Sequence, residues 1–247
     1  LDRAGLSNDD KKELSLIKNN TQRLLGLVNQ MLDLSKLESG KATVNYIQSD
    51  IIIFLKYLIE SYESYAERKD IRLHFLTDLE VLKMDFDAEK IQHILSNLLS
   101  NALKFTPEGG DIYFVVETLE NTSKSLILRI KDTGIGISVE QLPRIFDRYY
   151  QIEKNEDNPQ GTGIGLALVK ELTKLLKGEI SVKSDVGKGT EFKLVFPIMH
   201  TSTNEFIQFT EKAFDTKTNH LTLNLSSEES LITAKNETLL IIEDNED

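Results

Sequence analysis

The sequence contains no cysteine, which excludes disulfides, thiolate zinc sites and cysteine nucleophiles. This absence is compatible with a reducing compartment. Histidine is scarce as well, and the four residues His74, His93, His200 and His220 are far apart and lack the spacing of metal ligands. Cysteine chemistry is therefore excluded, and a histidine metal site is not indicated.

Long apolar runs and an excess of basic residues are also missing. The longest uninterrupted apolar stretch is IIIFL at 51–55, far short of the roughly 20 residues of a membrane-spanning helix. Asp and Glu number 40 against 29 Lys and Arg, and the resulting net charge of −11 disfavours binding to nucleic acid or to an anionic membrane surface. We therefore expect a soluble, cytoplasmic chain without a signal or transit peptide, and with neither nucleic acid nor membrane among its partners.

A long amphipathic helix is predicted near the start of the chain. Apolar residues between Leu14 and Leu37 follow alternating three- and four-residue steps, and additional leucines widen the stripe beyond a two-helix seam. This pattern favours a helix that packs in a bundle of several helices. The segment SGK at 39–41 marks its end.

Helical and extended patterns alternate over residues 42–200. Helical periodicity covers about 51–68, 88–104 and 164–177, and extended runs cover about 71–77, 111–118, 125–131, 179–184 and 190–196. The pattern predicts an α+β fold, a two-layer α/β sandwich with helices over one sheet, preceded by the long helix. Because several extended runs follow one another directly, much of the sheet should be antiparallel.

The composition changes after this region. Residues 201–236 are rich in Ser, Thr and Asn, as is typical of an irregular linker, although alternating leucines at 220–226 would suit a short strand. Residues 237–247 begin a strand of continuous apolar type that ends in acidic residues. The predicted division is therefore a bundle helix at 1–41, the sandwich at 42–200, a linker at 201–236 and the start of a further domain at 237–247.

Two asparagines interrupt the apolar pattern of the helix predicted at 88–104. Asn97 and Asn101 project from one side of that helix, Lys104 follows near the same face, and Asp87 can cap the N-terminus. For two asparagines alone, solvated or locally hydrogen-bonded amides are the simpler explanation. Other motifs must decide whether this face is functional.

Seven of the 13 glycines fall in three short clusters, DTGIGI, GTGIGL and GKGT. Asp132 ends an apolar strand, so its carboxylate should lie at the mouth of the sheet and could accept a hydrogen bond from an exocyclic amine such as that of adenine. A turn or cap is the alternative for a lone DTG. The cluster at 161–166 opens a helix whose free N–H groups and dipole favour phosphate. It lacks the lysine of a P-loop and the layout of a Rossmann protein.

The order of these motifs resembles that of sensor histidine kinases. NLLSNALKFT, DTGIGI, IFDRYY, GTGIGLALVK and GKGT match the N, G1, F, G2 and G3 boxes of that family, over about residues 10–199. The resemblance implies a sandwich of the histidine kinase/Hsp90-like ATPase type, ATP and Mg²⁺ as ligands, and a homodimer in the full-length protein.

The resemblance also assigns roles to individual residues. Asn97, Asn101 and Lys104 take the catalytic positions, with Asn101 binding Mg²⁺ and Lys104 facing the phosphates. Asp132 would hold the adenine amine. The other nucleotide-binding positions are Gly134, Gly136, Phe146, Tyr149, Gly161, Thr162, Gly163, Gly165, Leu166 and Thr190.

The segment at about 138–160 would be an ATP lid in this family. Phe146 and Tyr149 would anchor it, although ordinary core packing accounts for both aromatics nearly as well. Many members carry arginine where this chain has Gln151, and the candidates to replace its charge are Arg148 and Lys154.

Both ends of the chain take part in the resemblance. The long helix resembles the second helix of a dimerisation and phosphotransfer domain, so the phosphoacceptor histidine should precede Leu1. LLIIEDNED resembles the start of a receiver, with Glu243 and Asp244 as its acidic pair. The implied protein is a hybrid histidine kinase that transfers the ATP γ-phosphate to that histidine, for relay to a receiver aspartate.

Two alternative functions stay open at this point. Hydrolytic ATPases of the same fold carry a glutamate one helical turn before the metal-binding asparagine, where this chain has Asn97. An amide cannot act as a general base, which disfavours hydrolysis. The other alternative is a nucleotide-binding module without catalysis.

Overall fold

The computed structural model of the chain describes residues 8–120, 124–151 and 162–202. The elements are α1 (Asn8–Glu38), β1 (Ile47–Asp50), α2 (Ile51–Arg68), β2 (Arg72–Thr77), β3 (Lys83–Phe86), α3 (Ala88–Phe105), β4 (Asp111–Glu120), β5 (Lys124–Asp132), α4 (Gly165–Leu175), β6 (Glu179–Asp185) and β7 (Gly189–Pro197). A 3-10 turn covers Leu142–Arg144. The linker strand considered at 220–226 and the predicted domain start at 237–247 lie outside the described residues.

Five of the strands form one sheet in the order β2-β4-β5-β7-β6. Only the β2–β4 pair is parallel within this sheet, and the three remaining pairs are antiparallel. The prediction of a largely antiparallel sheet is therefore confirmed. The strands β1 and β3 form a separate antiparallel pair that the sequence analysis missed, because four residues are too few to show an alternating pattern.

Helices α2, α3 and α4 cover one face of the main sheet. The alternating residues Ile112 and Phe114 of β4 and Leu128 of β5 are completely buried, and so are Leu95 and Leu99 of α3. Burying a side chain of this size stabilises the fold by about 1.5–3 kcal/mol. The period-two pattern of the strands and the helical pattern of α3 thus meet in one core, and the predicted two-layer sandwich is confirmed.

Helix α3, which carries the two asparagines, begins as predicted. The side chain of Asp87 accepts a hydrogen bond from the Lys90 N–H at 3.1 Å and so caps the first turn. Its other carboxylate oxygen accepts from the Asn45 N–H at 2.8 Å. One buried carboxylate therefore fixes both the start of α3 and the chain that enters the domain.

The chain leaves the domain close to where it enters. Asp85 on β3 accepts hydrogen bonds from the N–H groups of Thr201 and Ser202, and from the Gln48 amide on β1. Burial acts to raise the pKa of this carboxyl, but the hydrogen bonds from Ser202, Thr201 and Gln48 outweigh it and leave the pKa below its ordinary value. An ionised Asp85 therefore holds the entering and leaving segments together.

Helix α1 contacts the domain through its C-terminal part. Leu34 is buried, and Leu37 packs at the edge of the core. The predicted stripe upstream is exposed, since Leu24 and Met31 retain 62% and 56% of their accessible surface. The bundle thus stays a prediction. Among the described residues, no helix combines the length and the hydrophobicity needed to cross a bilayer.

Candidate functional site

Helix α3 brings two of the glycine clusters to one side of the domain. Asn97, Asn101 and Phe105 are spaced by four residues, so they lie on one face and span about 12 Å along the axis. At one end, a Cβ on Gly165 of α4 would lie 2.5 Å from the Asn97 side-chain oxygen. At the other, the Phe105 carbonyl accepts a hydrogen bond from the Ile135 N–H at 3.2 Å. Asn101 thus lies between the first and second glycine clusters.

The two asparagines differ in their hydrogen bonds. The Asn97 amide nitrogen donates to the His93 carbonyl at 2.8 Å, one turn back on the helix. Asn101 is half-buried, and no side-chain hydrogen bond to it is recorded within the described residues. The Lys104 ammonium lies 4.8 Å from the centre of the Phe105 ring. Asn101 is therefore the asparagine whose amide is available to a ligand.

Asp132 lies at the end of β5, as predicted, and is only 6% exposed. Its Oδ1 accepts hydrogen bonds from the Gly134 N–H at 2.8 Å and from the Thr190 N–H at 3.2 Å. Burial raises the pKa of this carboxyl, and the two N–H groups oppose that rise. Oδ2 accepts no hydrogen bond from the described residues. The main chain therefore fixes Oδ1, and Oδ2 is available to a ligand.

The first and third glycine clusters pack main chain against main chain. The Gly187 N–H donates to the Ile135 carbonyl at 2.8 Å. Gly136 has a φ of +68°, and a Cβ there would lie 2.0 Å from the Asp185 carbonyl oxygen. Only glycine fits such a position, because both the dihedral angle and the close approach exclude a side chain. The two loops therefore form one continuous wall beside Asp132.

Phe146 packs into the domain as an anchor would. Its ring meets that of Phe192 edge-on at a centroid distance of 6.4 Å, and the Lys170 ammonium lies 5.9 Å from the ring centre. The segment between the first two glycine clusters is thus attached to β7 and α4.

The tyrosine that packs is Tyr150 rather than the predicted Tyr149. Tyr149 has a φ of +60° and its side chain points outward, 60% exposed. Tyr150 packs against the core, and the Arg144 guanidinium carbon lies 4.4 Å from the centre of its ring. Tyr149 contributes its main chain instead, because its N–H donates to the Gly163 carbonyl at 2.8 Å.

The second glycine cluster is described from Thr162 onward. The Thr162 hydroxyl accepts from the Ile164 N–H at 3.2 Å and lies 3.4 Å from the side-chain oxygen of Gln30 on α1. Leu166, in the first turn of α4, packs at the edge of the core. Gly161 lies outside the described residues. The main-chain N–H groups at the start of this helix remain suited to an anion.

The charges considered near position 151 are arranged differently from the expectation. Arg148, one candidate to replace the arginine absent at Gln151, forms an ion pair with Glu38 at the end of α1. The other candidate, Lys154, is outside the described residues with most of the predicted lid. Arg148 therefore links the lid region to α1 rather than facing the glycine clusters.

One polar residue next to Asp132 escaped the sequence analysis. Ser184 occupies an inward position of β6, and its hydroxyl accepts a hydrogen bond from the Ile137 N–H at 2.8 Å. The available signal was weak: a serine occupies the place where the alternating pattern of Ile180 and Val182 calls for an apolar residue.

The three histidines that the structure describes take no part in this arrangement as side chains. His74 lies 2.9 Å from Asp111 at the far edge of the sheet, and His200 is exposed. His220 is outside the described residues. Within the described part of the chain, no group of three or more His, Cys, Asp and Glu residues could hold a metal ion.

Part of the chain matches a known protein family. Residues 86–200 match the family described as histidine kinase-, DNA gyrase B- and HSP90-like ATPase. The match includes α3, α4 and four of the five strands of the main sheet, and this part of the chain has the ATPase fold of that family. The relatives that match over most of this chain are named as histidine kinases.

Two curated relatives are named as histidine kinases. Histidine kinase P4 of Formosa agariphila is 32% identical over 252 residues, covering 97% of this chain and 18% of the relative. Hybrid signal transduction histidine kinase D of Dictyostelium discoideum is 32% identical over 191 residues, covering 76% of this chain and 12% of the relative. The chain therefore spans less than a fifth of the length of these relatives.

A solved structure shows the same fold. Full-length ShkA, described as a complex with AMPPNP, superimposes with a TM-score of 0.70 at 24% identity, and the match covers 81% of this chain and 41% of ShkA. The sandwich and its helices are thus shared with a structurally characterised protein.

Proposed function

We propose that this chain is the catalytic region of a hybrid sensor histidine kinase that binds Mg-ATP and transfers the γ-phosphate to a histidine preceding Leu1. The observation that carries the proposal is one face of α3. It places Asn101 between Asp132, a buried carboxylate with one available oxygen, and the open N-terminus of α4. A polar site for the adenine base and a site for the phosphates would thereby lie on either side of Asn101, the candidate metal ligand.

The adenine base of the nucleotide would bind at Asp132. Because Oδ1 is held by two main-chain N–H groups, Oδ2 keeps one orientation toward an incoming donor. The exocyclic amine of adenine supplies such a donor. Burial strengthens this hydrogen bond, since water competes poorly for a carboxylate that is 6% exposed.

The phosphates would bind at the start of α4. Within the described residues no side chain caps this helix, and the N–H groups of a first turn attract anions. That end of the helix is formed by Thr162, Gly163, Gly165 and Leu166. Lys104 on α3 would add a positive charge to this side. The proposed set of nucleotide-binding positions is completed by Gly134, Gly136, Phe146, Tyr149, Gly161 and Thr190.

Asn101 fits the requirements of a magnesium ligand. Mg²⁺ binds oxygen, uses few protein ligands and completes its shell with phosphates and water. The Asn101 amide, half-buried and without a recorded side-chain partner in the described residues, can supply that oxygen. When bound, Mg²⁺ would neutralise charge on the phosphates, while this chain positions the nucleotide.

The surroundings of Asn97 argue against hydrolysis as the main activity. Its amide nitrogen is engaged by the His93 carbonyl and its oxygen lies against Gly165. An amide has no proton-accepting function near neutral pH, so water would lack a general base here. Transfer to an aligned acceptor needs no such base within this domain, because positioning supplies much of the acceleration.

The rest of the chain completes the proposal. Residues 1–41 would be the second helix of the dimerisation and phosphotransfer domain, 201–236 a linker and 237–247 the start of a receiver. A relative named as a hybrid signal transduction histidine kinase supports the hybrid type. We propose a cytoplasmic location for this region, a homodimer for the full-length protein, and relay of the phosphoryl group to a receiver aspartate.

Two measurements test this function. Calorimetry should show ATP binding that is strengthened by Mg²⁺. Incubation with γ-labelled ATP should leave this chain unlabelled but should give acid-labile label on a form extended N-terminally through the first bundle helix, because the acceptor is then aligned. Acid-labile label on the short chain would contradict the assignment of the acceptor, and failure to bind ATP would overturn the function itself.

A further inference from the structure

Ser184 is the centre of a hydrogen-bond cluster behind the proposed base site. Its hydroxyl lies 2.8 Å from the Ile137 nitrogen, 2.8 Å from the Gly189 carbonyl oxygen and 2.8 Å from the Thr190 hydroxyl. A serine hydroxyl offers one donor and two acceptor sites. It therefore donates to Gly189 and accepts from Ile137 and Thr190, which uses its full capacity.

The partners of this hydroxyl belong to two different loops. Ile137 closes the first glycine cluster, whereas Gly189 and Thr190 belong to the third cluster and the start of β7. Thr190 then continues the connection, because its N–H donates to Oδ1 of Asp132 at 3.2 Å. A short chain of hydrogen bonds thus runs from Ser184 through Thr190 to Asp132.

We propose that Ser184 is a positioning residue that sets the orientation of the Asp132 carboxylate and so contributes to the choice of base. The inference rests on the proposed function, in which Asp132 reads the exocyclic amine of adenine. Without the hydroxyl, the Ile137 N–H, the Gly189 carbonyl and the Thr190 hydroxyl each lose a partner. The Thr190 N–H is then held less firmly, and Gly134 is left as the better-fixed donor to Asp132.

A purely structural role for Ser184 makes a different prediction. If the hydroxyl only stabilised the loops, its loss would weaken every nucleotide equally. If it orients Asp132, its loss should weaken ATP more than inosine triphosphate, in which an oxygen replaces the exocyclic amine. The ratio of the two affinities is therefore the deciding quantity.

Calorimetry on three serine variants measures that ratio. Ser184→Ala should bind Mg-ATP about three- to tenfold more weakly, the range expected for a lost neutral hydrogen bond, with inosine triphosphate nearly unchanged. Ser184→Thr keeps the hydroxyl and should restore the ratio. Ser181→Ala, at an exposed position of the same strand, is the matched control and should behave as the parent.

A double-mutant cycle tests whether Ser184 acts through Asp132. In an Asp132→Asn background, Ser184→Ala should shift the ratio in the opposite direction, because a less firmly held asparagine can turn its oxygen toward the adenine amine. If Ser184→Ala does not fold, Thr190→Val removes the hydroxyl that Ser184 accepts from and should lower the ratio in the same way.

The outcomes separate this inference from the function on which it rests. A parent that binds Mg-ATP together with a folded Ser184→Ala whose ratio is unchanged overturns the inference alone, and so does an equal loss for both nucleotides. A parent that does not bind Mg-ATP overturns the proposed function, and the positioning role falls with it.

Discussion

Replacing Asp132 with asparagine should change the base preference of the site while leaving the fold intact. Asparagine has nearly the same shape, and its oxygen can keep accepting from the N–H groups of Gly134 and Thr190. Its amide nitrogen then takes the place of Oδ2. A donor would thus face the donor on adenine, where an acceptor stood before.

The size of the effect follows from that exchange. Losing one hydrogen bond at a site that is 6% exposed, and setting two donors against each other, should cost roughly 1–3 kcal/mol. This corresponds to about a 5- to 150-fold weaker affinity for Mg-ATP. Inosine triphosphate presents an oxygen at this point, so its affinity should rise instead.

Isothermal titration with both nucleotides is the assay. The matched control is Asp78→Asn, which makes the same chemical change at an exposed position outside the site. An Asp132→Asn protein that unfolds like the parent and binds Mg-ATP equally well would refute the reasoning and remove Asp132 from the base site.

The same carboxylate should set the acid limit of ATP binding. Burial raises the pKa of Asp132, opposed by the Gly134 and Thr190 N–H groups, and a protonated carboxyl no longer offers Oδ2 as an unambiguous acceptor. Affinity should therefore begin to fall at a pH above the ordinary aspartate range near 3.9, and the Asp132→Asn protein should lack this step. A carboxyl whose pKa is higher in the folded than in the unfolded protein stabilises the fold at pH values below the unfolded pKa. This stabilisation is lost as the pH rises through the folded pKa. The asparagine variant should consequently be no less stable than the parent at pH 7.

Two further substitutions test the proposed metal ligand and the attachment of the segment by which the chain leaves the domain. Asn101→Ala should abolish the magnesium-dependent part of the ATP affinity and spare much of the part contributed by the adenine base. An unchanged magnesium dependence in calorimetry would show that Asn101 is not the ligand. Asp85→Asn should lower the free energy of unfolding by about 1–3 kcal/mol at pH 7, because asparagine has a single acceptor oxygen and its amide nitrogen would face a donor, either the Gln48 amide or the N–H groups of Thr201 and Ser202. The pKa of Asp85 is lower in the folded protein than its ordinary value. The stabilisation by ionised Asp85 is therefore present at pH values above the unfolded pKa and is lost as the pH falls through the folded pKa. Urea unfolding across that range measures it, and equal curves for variant and parent would contradict the anchoring role.

Local pattern was sufficient for most of the secondary structure and for the polar face of α3. The apolar spacing around Asn97 and Asn101 predicted both the helix and the side on which they lie, and Asp87 predicted its first turn. Such features depend on neighbours within one or two turns, whose periodicity is written in the chain. The pair β1 and β3 was missed because its short strands are fixed by distant partners, including the contact of Asp85 with Thr201.

The amino-acid sequence by itself determined that Asp132 ends a strand, that glycines follow it and that a glycine cluster opens α4. Only the tertiary structure decided which oxygen of Asp132 is available, because the Thr190 N–H that holds the other lies 58 residues along the chain and arrives through the register of β5 and β7. The same holds for Ser184, which has no motif of its own and meets both loops only once β6 pairs with β7. Dihedral preferences and burial periods are local properties, whereas hydrogen bonds between loops exist only after the sheet has closed.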